Sequence, residues 1–229
     1  MAEPAAPPRI PSLLLWMSIR PMQTIRWIVE NRGARGTLAL VVVLAVASTI
    51  VSIPLESYSA GSEAWSAAGA LGILVGLLIF VGALVTAGYF AIAGLTLMSG
   101  RWLGGKASFS SIRAALAWGM APLYWGLLMR IPAAIFWPEA HAALNSDRVV
   151  RIGEETVRMS GLGEAPPLQL LILITLEFII VTWGFVTLSR ALAAVQEFSG
   201  WEGFANLVIA VVLPITAIIV VAVATALAF

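Results

Sequence analysis

The chain is 229 residues long, 60% of its residues are apolar, only 11% are charged, and it contains no cysteine. A soluble domain carries roughly a quarter charged residues and could not bury this much apolar surface, so the composition indicates a membrane protein. The missing cysteines exclude disulfides, thiolate metal ligands and a cysteine nucleophile, and a net charge of +1 gives no bulk attraction to nucleic acid.

The N-terminal residues 1–11 are rich in proline and predict a flexible tail ahead of a single membrane domain over residues 12–229. The first part of this domain mixes apolar with basic residues, and its Trp16 and Trp27 suit the headgroup level of a membrane. Two interpretations stay open, a helix lying in the membrane interface or a short helix packed under the transmembrane bundle. Pro21 is expected to split the segment into two pieces.

Five apolar runs follow, each about long enough to cross a hydrocarbon core of about 30 Å, which requires roughly 20 helical residues. The first run is the shortest, and the second is too long for one perpendicular crossing. The sequence therefore predicts an all-α fold, a polytopic bundle of five transmembrane helices with an N-terminal interfacial helix. The predicted spans cover residues 37–53, 69–98, 112–136, 168–190 and 204–229.

The distribution of basic residues predicts the orientation of the chain in the membrane. The connection 54–68 has no lysine or arginine, and in the connection 137–167 five acidic residues outweigh three arginines. We therefore expect the N-terminus in the cytoplasm and the C-terminal Phe229 outside. The basic residues expected on the cytoplasmic side are Arg9, Arg20, Arg26, Arg32, Arg35, Arg101, Lys106, Arg113 and Arg190.

The outer connection, residues 137–167, carries an alternating stretch from Arg148 to Arg158 that predicts a small hairpin turning near Gly153. The hairpin could cover the bundle as a lid or form an ordered connection. His141, the only histidine of the chain, lies in the same connection. A single histidine in a loop is more often exposed to solvent than a ligand, so we expect it to be exposed.

Two charged residues lie away from the ends of the predicted spans, Arg130 in the third and Glu177 in the fourth. Because these spans are antiparallel, the two residues lie roughly 9 Å and roughly 13 Å below the outer end, which permits an ion pair. Pro132 would free backbone carbonyls beside them. The pair could fix the helix register, which we favour, or form a polar site for an ion, a proton or a lipid headgroup. If Arg130 instead extends outward, Glu177 would be protonated.

The motifs of common enzymes are missing from the chain. There is no H-E-x-x-H, no Cys/His cluster, no G-x-x-x-x-G-K-[ST] phosphate loop and no G-x-S-x-G nucleophile elbow. The only aspartate, Asp147, lies in the outer connection, which excludes a pair of aspartates within the membrane. We therefore predict a protein that is not an enzyme, with no catalytic residue, no metal site and no cofactor.

Two short connections on the predicted cytoplasmic side carry distinctive residues. The first holds Leu103, Gly104, Gly105, Lys106 and Ser108, and the second runs from Gln196 to Trp201. Together with Trp16, Pro21 and Thr24 near the start and Ala121-Pro122 in the third span, these residues resemble the Yip family over residues 12–229. The resemblance implies five membrane spans, a cytosolic N-terminus and little protein outside the bilayer.

The resemblance also bears on partners and location. Eukaryotic members of the Yip family bind Rab-type GTPases and one another, but this chain lacks their long acidic cytosolic head and the aspartate-leucine-tyrosine-glycine-proline motif within it. GTPase binding is therefore not supported. The chain resembles a compact bacterial member, which implies the bacterial inner membrane.

The sequence predicts a non-enzymatic role in membrane organisation or in partnering with membrane proteins. The expected partners are membrane lipids and either further copies of the chain or another membrane protein, with no nucleic acid. The alternative is a transporter of a small solute or ion, or a lipid-translocating protein, that uses a polar site at Arg130 and Glu177. Prolines within the predicted spans motivate this alternative.

Overall fold

The computed structural model describes residues 10–52, 67–138, 140–141, 147–152, 155–160 and 167–228. These residues form eight helices and one two-stranded sheet. The helices are α1 (Ile10–Ile19), α2 (Pro21–Asn31), α3 (Thr37–Ser52), α4 (Ala67–Trp102), α5 (Phe109–Gly119), α6 (Ala121–Phe136), α7 (Pro167–Gln196) and α8 (Gly200–Ala228). The strands are β1 (Asp147–Ile152) and β2 (Glu155–Ser160). Of the predicted tail, residues 1–9 lie outside the described part of the chain.

The helical, multi-pass character expected from the apolar runs is confirmed. Three segments are long and apolar enough to cross a membrane, Val75–Trp102, Phe109–Phe136 and Leu168–Gln196. Shorter apolar helices cover Ile10–Ile19, Thr37–Ile50 and Gly200–Thr216. The count of five crossings stays a prediction. α4 has 36 residues and is therefore about 54 Å long. The predicted run, residues 69–98, would be about 45 Å long, so the excess over the hydrocarbon thickness is larger than predicted.

The sequence predicted one continuous helix for the third apolar run. The structure instead has two helices that meet at Met120. Pro122 has no backbone N–H with which to continue the ladder to the carbonyl of Trp118, and the N–H of Met120 bonds that carbonyl instead. A proline in the first turn is compatible with the start of a new helix, here α6. By contrast, Pro132 and Pro214 lie inside α6 and α8 without ending them.

The N-terminal segment forms two helices that break at Arg20, and Pro21 is the first residue of the second, as predicted. Both helices pack against α5. Most of the side chains that α1 and α2 bury are apolar, among them Leu13, Met17, Ile25 and Ile28, although Ser18 is buried as well. The structure therefore supports the packed arrangement, while α1 still exposes Trp16 and Ile19 on its opposite face.

The chain folds as two compact units. The first comprises Met1–Val41, Thr86–Pro122 and Trp183–Phe229, and the second comprises Val42–Val85 and Leu123–Thr182. In the first unit the indole N–H of Trp183 donates to the backbone oxygen of Ser18 at 3.0 Å. In the second unit an apolar core joins α6 to α7 through Ala133, Ala140, Leu170 and Leu173, with Trp137 packed against it.

The hairpin predicted in the outer connection is confirmed. β1 and β2 pair antiparallel, and Ile152 pairs with Glu155 at the end of the ladder. The turn predicted near Gly153 lies outside the described residues.

Candidate functional site

The two distinctive connections lie against each other in the first unit and form what we call the two-loop surface, residues 102–108 and 196–201. The backbone N–H of Lys106 donates to the backbone oxygen of Gln196 at 3.4 Å. Gly104 has a φ of 89°, a left-handed conformation that glycine adopts without steric cost. Glu197 has a φ of 64°, so the second connection also makes a sharp turn directly after α7.

Gln196 is the side chain that holds the two connections together. It is fully buried, its Nε2 donates to the backbone oxygen of Thr96 at 3.4 Å, and its Oε1 accepts from the N–H of Ala107 at 3.4 Å. A Cβ on Gly105 would lie 2.8 Å from Cζ of Phe198 and closer still to the amide of Gln196. The glycine is therefore the residue that lets the first connection approach this amide.

Further uncharged polar side chains are buried beside Gln196. Ser99 donates a short hydrogen bond to Oδ1 of Asn206, and Thr96, Ser99 and Asn206 are all at most 1% exposed. Among the described residues, neither Oγ1 of Thr96 nor Nδ2 of Asn206 has a hydrogen-bond partner. We call Thr96, Ser99, Gln196 and Asn206 the buried amide cluster. It ties α4, α7 and α8 together by hydrogen bonds.

The rim of the two-loop surface is charged and exposed. Nζ of Lys106 lies 2.9 Å from Oε2 of Glu197, with the side chains 75% and 64% exposed. The hydrogen bond from Lys106, and then its charge, lower the pKa of Glu197, and the same contact raises the pKa of Lys106. An exposed pair of this kind contributes little to stability because water and salt screen it.

Helix caps fix the ends of both connections. The side chain of Ser108 accepts a hydrogen bond from the N–H of Ser111 at 3.2 Å and so caps α5. At the start of α8, the carboxylate of Glu202 accepts from the N–H of Ser199 at 2.7 Å, and the hydroxyl of Ser199 accepts from the N–H of Glu202 at 3.3 Å. This reciprocal arrangement is a capping box. Ser108 is therefore the N-cap of α5.

The second unit contains the ion pair. Nε of Arg130 in α6 lies 2.6 Å from Oε1 of Glu177 in α7. The two side chains are therefore in contact, as their similar depths in the predicted spans permit. The contact is not fully buried by the protein, because the side chains remain 35% and 31% exposed.

A cavity of about 350 Å³ opens beside this ion pair. Most of its lining is apolar, and the polar groups among the lining residues are Arg130, Glu177 and His141. His141 is half-buried in this cavity, so the prediction that it is exposed to solvent is wrong. Burial, and then the charge of Arg130, lower the pKa of His141, while Glu177 acts in the opposite sense.

The position of His141 has a backbone cause. The N–H of Trp137 bonds the carbonyl of Ala133 at 2.9 Å, and the N–H of His141 bonds that of Trp137 at 2.9 Å. These helix-type bonds show that helical backbone also occurs beyond Phe136, so the predicted loop begins later than residue 137. His141 thereby lies at the cavity beside the ion pair.

Several polar residues at these two sites were not candidates from the sequence. Arg130 and Glu177 are recognisable in the sequence as charged residues within apolar spans, whereas Thr96, Ser99 and Asn206 are uncharged. The signal that could have found them is an uncharged polar side chain within an apolar run. No group of three or more His, Asp or Glu side chains suited to a metal ion comes together in the described part of the chain.

The architecture is that of a helical membrane protein. Long apolar helices, two of them carrying a charged pair, and a buried amide cluster describe a multi-pass helical membrane protein. A family model of the Yip1 domain matches residues 16–223, and the chain belongs to that family, whose members are generally non-enzymatic membrane proteins. No curated protein and no solved structure matches the chain.

Proposed function

We propose that this Yip1-domain protein is a non-enzymatic membrane protein that associates with other membrane proteins, or with further copies of itself, through the two-loop surface. The observation that carries the proposal is the buried side chain of Gln196, which accepts from the N–H of Ala107 in the first connection and donates to the backbone oxygen of Thr96 in α4. A surface that is ordered before binding loses less conformational entropy on association. The residues of the first connection that resemble the Yip family, Leu103 to Ser108, would then fix the shape of the surface and would not be reactive groups.

The side chains presented at this surface suit protein contact. Trp102 is 63% exposed and Trp201 is 78% exposed. Trp201 is held at one edge by Phe204, whose ring centroid lies 5.3 Å away in an edge-to-face arrangement. Tryptophan is enriched among the residues that dominate binding energy at protein interfaces. The proposal does not include a GTPase partner.

The proposal also includes the topology of the chain in a bacterial inner membrane. Five crossings, with the N-terminus in the cytoplasm and the C-terminus outside, would put the two-loop surface in the cytoplasm. The basic residues around this surface, Arg101 and Lys106 among them, support that orientation.

Cysteine labelling in intact cells tests the topology. The natural chain has no cysteine, so Lys106→Cys and Ser146→Cys each introduce a single reactive thiol. A membrane-impermeant maleimide is expected to label the Ser146 variant and to label the Lys106 variant only after the cells are opened. Labelling of the Lys106 variant from outside would contradict the orientation.

Photocross-linking in native membranes tests the partnering. A photoreactive phenylalanine replaces Trp201 in one variant and Phe178, an apolar side chain that is 70% exposed, in the control. We expect a discrete protein adduct from position 201 and none from position 178, and a second copy with a different tag tells whether the adduct is this chain. Adding Gln196→Leu should abolish the adduct. Equal adducts from both positions, or none from position 201, would contradict the proposal.

A further inference from the structure

The ion pair in the second unit raises a physical problem. Arg130 lies six residues before the end of α6 at Phe136, about 9 Å along the helix and hence in the outer part of a hydrocarbon core about 30 Å thick. About a third of each side chain is exposed there, 35% for Arg130 and 31% for Glu177. Charged groups that face hydrocarbon are costly, so a polar group other than lipid tails must cover this pair.

The hydrogen-bonding capacity of the pair exceeds the contact within it. The bond from Nε of Arg130 to Oε1 of Glu177 uses one of the five N–H donors of a guanidinium and one of the two oxygens of a carboxylate. A group covering the pair must therefore offer an acceptor to Arg130 and a donor or cation to Glu177.

The cavity beside the pair has the size and lining of an amphiphile site. Its volume of about 350 Å³ falls within the range of about 300–1,000 Å³ that is typical of small-molecule sites. Away from the pair the lining is aliphatic and aromatic, with contributions from Met129, Phe136, Leu173, Leu176 and Ile180. An occupant therefore needs an apolar chain as well as a polar head.

The charges of the site select the kind of head. Arg130 contributes one positive and Glu177 one negative charge, and His141, whose pKa is lowered, is neutral at pH 7. A purely anionic head would bind Arg130 but face the carboxylate, and a purely cationic head would face the guanidinium. A head that carries both charges satisfies both side chains.

We propose that this cavity binds one zwitterionic phospholipid, with its phosphate against Arg130, its ammonium group against Glu177, and part of an acyl chain against Leu173, Leu176 and Ile180. This inference goes beyond the proposed partnering and does not depend on it. Because the ion pair is formed before the lipid binds, the site selects a headgroup that carries both charges and not one of a particular net charge.

Lipid binding to the purified full-length chain tests the proposal. Native mass spectrometry follows the titration of phosphatidylethanolamine, phosphatidylcholine and phosphatidylglycerol into the detergent-solubilised protein. We expect the two zwitterionic lipids to bind at least about tenfold more tightly than the anionic lipid, because only they satisfy both charges. Equal affinity for all three, or no retained lipid, would overturn the proposal.

Glu177→Gln sharpens the test because glutamine keeps the shape and removes the negative charge. Arg130 then stands alone, so the preference should reverse in favour of phosphatidylglycerol. An unchanged preference in this variant would overturn the assignment of the ammonium group to Glu177. If this variant fails to fold, the exchange of both residues, Arg130→Glu with Glu177→Arg, retains an ion pair and should weaken zwitterionic binding by about tenfold because the dipole is reversed.

Two further comparisons separate the lipid from its parts. Leu176→Trp fills the cavity and should abolish binding, whereas Phe178→Trp, on the same helix but outside the cavity lining, should leave binding unchanged. Retained binding in the Leu176 variant would overturn the acyl-chain contact. Soluble phosphoethanolamine should compete only weakly, and competition as strong as that of the lipid would assign the site to the free headgroup and overturn the proposal of a phospholipid.

Discussion

The two polar sites of this protein differ in charge and in exposure. The buried amide cluster in the first unit is uncharged and at most 1% exposed, and the amide of Gln196 within it bonds to two backbone groups. The Arg130–Glu177 pair in the second unit is charged, about a third exposed, and lies beside a cavity. A neutral side chain that satisfies backbone groups in a packed region stabilises structure, whereas a charged pair left open beside an apolar cavity retains capacity for a ligand.

This comparison predicts that changes in the first unit mainly affect stability and that changes in the second mainly affect binding. Gly203→Ala should have the largest effect. A Cβ there would lie 2.7 Å from Cβ of Ala193 and 2.9 Å from its backbone nitrogen, so α7 and α8 would have to separate. We expect a loss of about 3 kcal/mol in the free energy of unfolding, measured by denaturation in detergent micelles.

Gly200→Ala is the control for this change. No atom of the described residues lies within 4 Å of a Cβ at position 200, and alanine favours the helix. Its stability should equal or slightly exceed that of the natural chain. Equal losses from the two alanines would mean that the close approach of α7 and α8 at Gly203 is not tight.

Gln196→Leu should have the next largest effect. Leucine keeps the bulk but leaves the N–H of Ala107 and the carbonyl of Thr96 without this side chain's hydrogen bonds. We expect a loss of about 2 kcal/mol in stability and faster hydrogen exchange at Ala107. The exposed neighbour supplies the control, because Glu197→Gln should leave both quantities nearly unchanged. A melting curve unaltered by the leucine would contradict the stabilising role of the buried amide cluster.

Arg130→Met tests the second site and should cost less than a fully buried pair would. The partial exposure of both partners lets the remaining carboxylate find other polar contacts. We expect a loss of about 1.5 kcal/mol in detergent, the low end for a charge-assisted hydrogen bond, together with loss of zwitterionic lipid binding. A loss of stability without any change in lipid binding would make the pair purely architectural.

His141 should add a small dependence of stability on pH. The folded state holds the pKa of His141 below its ordinary value of about 6.5, so the unfolded chain takes up this proton first as the pH falls. Stability is therefore retained above about pH 6.5 and declines as the pH falls through that value towards the folded pKa. Melting temperatures of the natural chain and of His141→Phe, compared between pH 8 and pH 5.5, should show this decline only in the natural chain. The same decline in both would assign it to other groups.

The smallest effect is expected at the rim of the two-loop surface. Lys106→Met breaks the ion pair with Glu197, but both side chains are largely exposed. No measurable change in melting temperature is therefore expected at physiological salt. A clear loss of stability would mean that charge, and not the neutral amide of Gln196, holds the two connections together.

The sequence predicted the helical membrane architecture, the family, the break at Pro21 and the hairpin, because each depends on a local signal. Apolar periodicity and proline chemistry do not require knowledge of distant contacts. The contact of Arg130 with Glu177 could be predicted, because residues at similar depths in consecutive antiparallel helices lie close together. The break of the third run at Met120 does not follow from apolar length, which is the same for one helix or two, although Pro122 is a local signal for it.

The parts that were not predicted depend on tertiary packing. Nothing near His141 in the sequence shows that helix-type backbone bonds follow Phe136 and that His141 lines the cavity beside the ion pair. Asn206 and Ser99 are more than a hundred residues apart, and their hydrogen bond follows from the packing of α4 and α8. A cavity is likewise a property of how α6 and α7 leave space, which no local pattern encodes.

The most direct test of the account is a cryo-electron microscopy structure of the protein in nanodiscs of phosphatidylethanolamine and phosphatidylglycerol. The account predicts headgroup density in contact with Arg130 and Glu177, continuous with an acyl chain along Leu173 and Leu176, while the buried amide cluster is unchanged. A closed cavity with a dry ion pair and no lipid density would contradict it.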